Sequence, residues 1–398
     1  MYIYSENIYT PKGFQDGYLK IEDGIIKGIY PEVEPNEEVL DYSQNIILPG
    51  FIDIHLHGWA TGSFTYEGSS KSLRNMSRDL VKSGVTSYLA TTGTDSLDFI
   101  KFQLSEAKKA MDSWEPSLGA EVIGIHLEGP FINKEYKGMQ KEEHVLNPSI
   151  EILENFIEIA GKGNIRLITM APELPGSEEF IKYANKNNIQ ISVGHTAAEF
   201  EDIARLKDLG LGGFTHTYSG MRGFHHRRLG VVGAAMYFND MYAEFAKQTG
   251  LTVKPEAFAI MYRLKGPNKI ILTTDCVGLA HVNYEFYHYV RKQTFIPQGD
   301  YIKVVSEDGK EELMDKYNYE QVKDLEMNYL DSVKNVVKNV KASISDIVKM
   351  TAENPAKYIN LYDKKGSIEE GKDADVIVVD DYWNLIDVFV KGLKQNIN

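Results

Sequence analysis

Cysteine is nearly absent from this chain: Cys276 stands alone in 398 residues, which excludes an internal disulfide framework and any zinc site built from thiolates. A reducing compartment is the natural setting for such a protein. No apolar run approaches the roughly 18 residues needed to cross a bilayer. Positive charge is also in deficit. With 43 Lys+Arg against 57 Asp+Glu, the formal net charge of -14 argues against binding to nucleic acid or an anionic membrane, and an anionic substrate would need a local basic group. The opening residues, Met1-Tyr2-Ile3-Tyr4-Ser5-Glu6, lack the charged-then-apolar layout of a signal peptide. Neither an internal repeat nor a low-complexity tract is present. Together these absences lead to the expectation of a soluble, cytoplasmic protein.

What is present suits a large core. The hydrophobic fraction is 43%, and the length fits a large α/β barrel with a small attached domain. Residues 17–21 and 25–30 alternate in polarity around the turn Glu22-Asp23-Gly24, and residues 374–379 and 385–390 alternate in the same way near the other end. The spacing predicts a small β-sandwich assembled from both termini, residues 1–50 and 357–398. Over residues 51–356 strand and helix alternate instead. Strands are expected at 50–54, 85–90, 122–127, 165–170, 189–193, 213–215, 241–245 and 269–274, with amphipathic helices between them, for example 72–83 and 177–187. Thr196-Ala197-Ala198-Glu199 reads as a capping box opening a helix after the fifth strand. Eight such units predict a (β/α)8 barrel, whose active site lies where the strands end.

Those ends are chemically unusual. The apolar run Val122-Ile123-Gly124-Ile125 carries into His126-Leu127-Glu128-Gly129-Pro130, so a buried strand presents Glu128 at its tip. In Asp53-Ile54-His55-Leu56-His57, strand alternation puts Asp53, His55 and His57 on one face. The fifth strand runs into Gly194-His195, the sixth into His216 and the eighth into Asp275. Each residue alone fits an ordinary hydrogen-bonded histidine or a salt-bridged acid. Jointly, four of the ten histidines and two acids at barrel strand ends form a ligand set for zinc, iron or cobalt. Two other signals carry less. Gly210-Leu211-Gly212-Gly213 precedes a strand and reads as a tight turn, and Cys276 reads as a small buried side chain beside Asp275.

The motifs Pro49-Gly50-Phe51-Ile52-Asp53-Ile54-His55-Leu56-His57-Gly58, His126 through Asn133, Gly194-His195-Thr196, Thr215-His216 and Thr274-Asp275 resemble the amidohydrolase superfamily. Their order and spacing are most similar to its N-acetylglucosamine-6-phosphate deacetylase family. The stretch 366–375 is similar to the segment leading into the last sandwich strands of such enzymes, and the resemblance fades between about Ala280 and Tyr329. It implies Glu128, His195 and His216 as ligands of a principal metal, His55 and His57 as ligands of a second, and Asp275 as the catalytic acid/base. It also implies one or two divalent ions, zinc first and iron, cobalt or manganese as alternatives. A small-molecule substrate follows from the same resemblance. So does a homodimer, in which Arg227 of His225-His226-Arg227-Arg228 contacts the sugar phosphate across the interface.

The pattern breaks around the substrate. Gly138-Met139-Gln140 stands where the family carries a histidine that polarises the acetyl carbonyl. His216-Thr217-Tyr218-Ser219-Gly220-Met221 has Ser219 in place of an asparagine, and Thr252 of Gly250-Leu251-Thr252-Val253 falls near a further family histidine. Residues 324–328 offer no counterpart to the small-residue loop that lines the acetyl pocket. The resemblance thus assigns substrate binding to Met139, Gln140, Ser219, Gly220, Arg227 and Thr252. The expected function is metal-dependent removal of an acyl group from an N-acylated amino sugar phosphate. The alternatives are a paralogue acting on another N-acyl or cyclic amide, and a metal-binding protein without turnover. Intact Asp275 argues against the last. The fourth strand ends in Met170-Ala171-Pro172-Glu173, without the lysine or extra ligand common in cyclic-amide and deaminase members, and Glu173 reads as a pocket residue or surface charge. The tyrosine-rich tract 281–326 reads equally as a lid or pocket wall and as surface packing.

Overall fold

A computed structural model of the chain describes residues 1–246 and 252–397. Eight parallel strands, Phe51–Leu56, Val85–Thr92, Glu121–Glu128, Ile165–Met170, Gln190–Val193, Leu211–Phe214, Tyr242–Ala246 and Ile270–Thr273, hydrogen-bond in sequence order. They are short, continuously apolar runs rich in Val, Ile and Thr, which suits strands covered on both faces. The eighth strand meets the first through side chain and loop. The Asp53 carboxylate accepts from Thr274 N at 3.2 Å and Thr274 Oγ1 at 2.6 Å, and Asp275 N donates to His55 O at 2.8 Å. Asp53 is therefore a seam between strands one and eight. Burial pushes its carboxyl up to about 7.

Residues from five of these strands, Ile52, Leu89, Ile123, Leu167 and Ile271 among them, cluster with Tyr358 and Ile359, so the barrel interior away from the site is packed. Nearer the site the interior is polar: His126 Nε2, Thr169, Thr215 and Ser192 form a chain with links of 2.7 to 2.8 Å. The helices predicted between strands are present, Ser70–Leu80 and Ser177–Lys186 among them. One start differs. The helix after the fifth strand begins at Phe200, capped by Glu199 with Asp202, while the Thr196 hydroxyl donates to Glu173 at 2.5 Å and accepts from Ala198 N at 2.9 Å, closing a turn two residues on.

The two ends of the chain build one eight-stranded sheet, not two separate ones. Strand Val376–Val379 pairs with Ile46–Pro49, and the path continues through Tyr2–Thr10, Gly13–Glu22 and Ile25–Tyr30, with Asp23 and Gly24 in the turn at φ +52° and +76°. Its far edge curls back, with Ile26 N donating to Lys372 O at 2.9 Å and Ala374 N to Gly24 O at 2.8 Å. The rolled sheet encloses Ile3, Leu19, Ile47, Val376 and Phe389, which gives the two-layered core of a sandwich. Lys365 joins this unit to the barrel, contacting Glu121 at 2.7 Å, Asp373 at 2.9 Å and Asp375 at 2.6 Å.

The tract after the eighth strand forms a four-stranded antiparallel sheet, Phe286–His288, Gln293–Gln298, Tyr301–Ser306 and Glu311–Asp315. It is both wall and surface: Tyr284, His288 and Tyr289 line the cavity over the barrel mouth, while its outer strand is exposed or half-exposed. No helix among the described residues is long and apolar enough to cross a membrane.

Candidate metal and catalytic site

The third barrel strand stops at Glu128: Gly129 N still reaches Thr169 O at 3.2 Å, but Pro130 has no N–H with which to extend the ladder. His195, His216 and Asp275 lie just past the ends of strands five, six and eight with φ of +48°, +31° and +47°. A left-handed backbone at a non-glycine residue costs about 1–3 kcal/mol and is held only where surrounding structure demands it. Here it turns three functional side chains into one cluster.

Glu128 is the hub. Its Oε1 lies 3.1 Å from both His195 Nε2 and His216 Nε2 and 3.3 Å from His55 Nε2, and its Oε2 lies 3.1 Å from His57 Nε2. Asp275 Oδ1 stands 3.5 Å from the Nε2 atoms of His55 and His57. Every imidazole is held from behind. His195 Nδ1 donates to Tyr136 O at 2.8 Å and His216 Nδ1 to Ser219 O at 3.0 Å. His55 Nδ1 donates to Glu244 Oε1 at 2.7 Å. His57 Nδ1 donates to Thr65 Oγ1 at 2.7 Å, a hydroxyl whose own proton goes to Thr91 O at 3.1 Å.

These rear partners fix the neutral tautomers and decide what the site accepts. With Nδ1 protonated, all four Nε2 atoms carry lone pairs toward one another, 3.2 Å apart for His55 with His57 and 3.1 Å for His195 with His216, and toward a carboxylate. Such a convergence is stable only around positive charge. Four donors about 2.0–2.1 Å from a tetrahedral ion lie about 3.3 Å from one another, so the spacing fits divalent metal. Two overlapping triads qualify, His55 with His57 and Glu128, and Glu128 with His195 and His216. A third acidic group, Glu121, Asp373 and Asp375, is already bridged by Lys365, with Lys391 3.5 Å from Glu121 and 3.7 Å from Asp373.

Electrostatics agree with the geometry. Burial alone would raise the Glu128 carboxyl, but positive charge at the surrounding imidazoles, His55 first and His195 next, holds it well below the usual range, as a divalent ion in the same place would. Burial pulls His55 down, yet Glu244, Asp275 and Glu128 outweigh it and favour positive charge there. Burial holds His126 well below its ordinary value; it is a neutral core histidine whose ring meets that of His55 edge-on at 4.6 Å. Above the cluster opens a cavity of about 1050 Å³, bordered by Glu128, Asp275, Tyr66, Phe99, Tyr284 and Tyr289.

Comparison with known proteins agrees with this site. The Amidohydrolase family model matches residues 46–396. The N-acetylglucosamine-6-phosphate deacetylase of Bacillus subtilis is 33% identical over 389 residues, covering 95% of this chain and 92% of the relative. The N-acetylgalactosamine-6-phosphate deacetylase of Escherichia coli O157:H7 is 26% identical over 391 residues, covering 98% and 97%. A crystal structure of N-acetylglucosamine-6-phosphate deacetylase from Pasteurella multocida superposes with a TM-score of 0.82 at 26% identity, covering 99% of this chain and all of that one. The chain belongs to the amidohydrolase family.

An amidohydrolase also needs a substrate pocket, and the residues expected to form it are placed unevenly. Met139, Gln140, Ser219, Gly220 and Thr252 border the cavity. Gly250 and Leu251, beside Thr252, lie outside the described residues. Ser219 contributes its carbonyl to His216, and both polar ends of the Gln140 amide are engaged by protein. Arg227 is exposed in the loop between His225 and Arg228 and does not border the cavity. Glu173 braces the strand-end loops, bonding Asn133 Nδ2 at 2.9 Å and Ala197 N at 2.7 Å. Sequence reasoning missed Glu244, which reaches the His216 N–H at 3.1 Å as well as His55. Its signal was an acid inside the otherwise apolar strand Tyr242–Ala246.

Proposed function

We propose that this amidohydrolase removes the acetyl group from N-acetylglucosamine-6-phosphate or a closely related N-acylated amino sugar phosphate. The observation that carries the reading is the convergence of Glu128, His195 and His216 beside Asp275 at the floor of one cavity, in a chain 33% identical to a deacetylase of that substrate. In this reading Glu128, His195 and His216 hold the principal ion and His55 with His57 a second. Zinc is the first choice, with iron, cobalt or manganese as alternatives. A divalent ion there supplies Lewis acidity to the amide carbonyl and to the attacking water.

The proton movement belongs to Asp275. Its carboxylate takes the proton that water loses as its oxygen bonds to the carbonyl carbon, and returns that proton to nitrogen as the C–N bond breaks. The products are acetate and the free amine. Met139, Ser219, Gly220 and Thr252 border the substrate, with the tyrosines of the inserted sheet forming the outer wall. The reading extends to a homodimer in which Arg227 meets the phosphate from the partner subunit, to a cytoplasmic setting, and to a division into residues 1–50 with 357–398 and residues 51–356. The test is acetate release from N-acetylglucosamine-6-phosphate, its galactosamine epimer and unphosphorylated N-acetylglucosamine. Turnover of a phosphorylated sugar with a clear preference over the unphosphorylated one is expected. Absence of acetate from all three would refute the proposal.

A further inference from the structure

We propose that Gln140 is a positioning residue for Glu128, holding the shared carboxylate in the orientation that serves both histidine pairs. The inference rests on the reading that the cluster holds a divalent ion. Gln140 Nε2 donates to Glu128 Oε2 at 2.6 Å, and Gln140 Oε1 accepts from Thr94 N at 2.6 Å. The backbone N–H of Thr94 can only donate, so the amide oxygen faces it and the amide nitrogen faces Glu128, which fixes one orientation. Both of its polar ends are then engaged within the protein, with one of the two Nε2–H bonds going to Glu128.

The contact is supported from behind. Thr94 follows the second barrel strand, and at Gly93 a side chain would come within 3.2 Å of Thr65 and 3.3 Å of Gln140 Oε1, so the loop lies close against the amide. The main chain of Gln140 is tied as well, its N donating to Lys137 O at 3.0 Å. Glu128 has three rotatable side-chain bonds, and its two oxygens face different histidines: Oε1 toward His195 and His216, Oε2 toward His57. A rotation of the carboxylate would disturb both triads together. An uncharged amide fixes that rotation without placing a second positive charge beside the ions, so Glu128 keeps its full negative charge for them.

The test is chelator competition for zinc and for cobalt on the wild type, Gln140→Met and Gln140→Glu, with turnover measured separately at saturating metal. Gln140→Met keeps the volume and removes both bonds; a metal affinity weaker by roughly 10–100-fold is expected. Gln140→Glu keeps the acceptor for Thr94 N and turns the donor facing Glu128 into an acceptor, so it should weaken metal at least as much. Wild-type metal affinity in either folded variant overturns the proposal. The affinity readout needs no substrate. Failure of the deacetylase reading would appear as missing turnover with these affinities still shifted.

Discussion

Replacing Asp275 by asparagine isolates the proton-transfer step from the rest of the site. The backbone of residue 275 is anchored independently of its side chain, through Asp275 N to His55 O at 2.8 Å, so the strand end keeps its shape. The side chain is 28% exposed, and its nearest cluster contacts, 3.5 Å to His55 and His57, are longer than the 3.1–3.3 Å contacts that Glu128 makes. Losing the charge therefore leaves no buried partner stranded, and metal content should stay at the wild-type level. Asparagine cannot carry the proton from water to the departing nitrogen. General acid–base catalysis contributes typically about 10²–10⁴-fold, equivalent to about 3–5.5 kcal/mol of barrier at about 1.36 kcal/mol per decade. Because one group serves as base and then as acid, the upper part of that range is expected, and the loss should fall on kcat. Steady-state acetate release and metal analysis of the same preparation check it. A kcat within tenfold of wild type, or a loss matched by an equal loss of metal, would refute the role.

Other perturbations reach the supports. Glu244→Gln removes the charge behind His55 Nδ1 while keeping an acceptor, so a metal equivalent held by His55 and His57 should weaken roughly tenfold, with little change at His195 and His216; chelator competition that resolves two equivalents measures it. Lys365→Met leaves Glu121, Asp373 and Asp375 without their buried cation and should cost about 3–5 kcal/mol of stability in urea unfolding, with metal affinity unchanged. Lys265 is only 9% exposed and donates to Ala235 O and Phe238 O; burial, aided by nearby Lys269, lowers its pKa from 10.5 to about 8. Since the folded form binds this proton less tightly than the unfolded chain, the cost is full below pH 8, about 3 kcal/mol at about 1.36 kcal/mol per pH unit, and fades as pH rises toward 10.5. Thermal unfolding of wild type against Lys265→Met should therefore show a gap that is constant below pH 8 and shifts in favour of wild type above it.

The barrel was legible because its strands are short apolar runs bounded by turn residues. Each expected strand overlaps an observed one, and Ile165–Met170 coincides. The candidate metal cluster was legible for a related reason: the chain order of a barrel puts strand ends in one ring, so His55, His57, Glu128, His195, His216 and Asp275 could be grouped from the sequence. What escaped were contacts between side chains on separate loops. Glu244 read as one more strand residue, because its tie to His55 joins strands seven and one. The bonds of Gln140 escaped as well, because nothing in the local sequence places Thr94 N and Glu128 on either side of its amide. Thr196 read as a helix cap, but its hydroxyl accepts from Ala198 N in a turn and donates to Glu173 from the loop after the fourth strand. The four-stranded sheet of residues 286–315 was hidden by the acidic outer strand Glu311–Asp315, whose charge blurs the alternation that marks a half-buried strand, and by the three-residue length of Phe286–His288.

The central claim is metal-dependent amide hydrolysis at the Glu128 cluster, and the most direct test is acetate release from N-acetylglucosamine-6-phosphate by chelator-stripped protein titrated with a divalent ion, beside Glu128→Gln treated identically. The account predicts no turnover in the stripped protein, recovery within one or two equivalents of metal, and no recovery in Glu128→Gln. Turnover that survives stripping, or a Glu128→Gln variant that recovers like wild type, would contradict it.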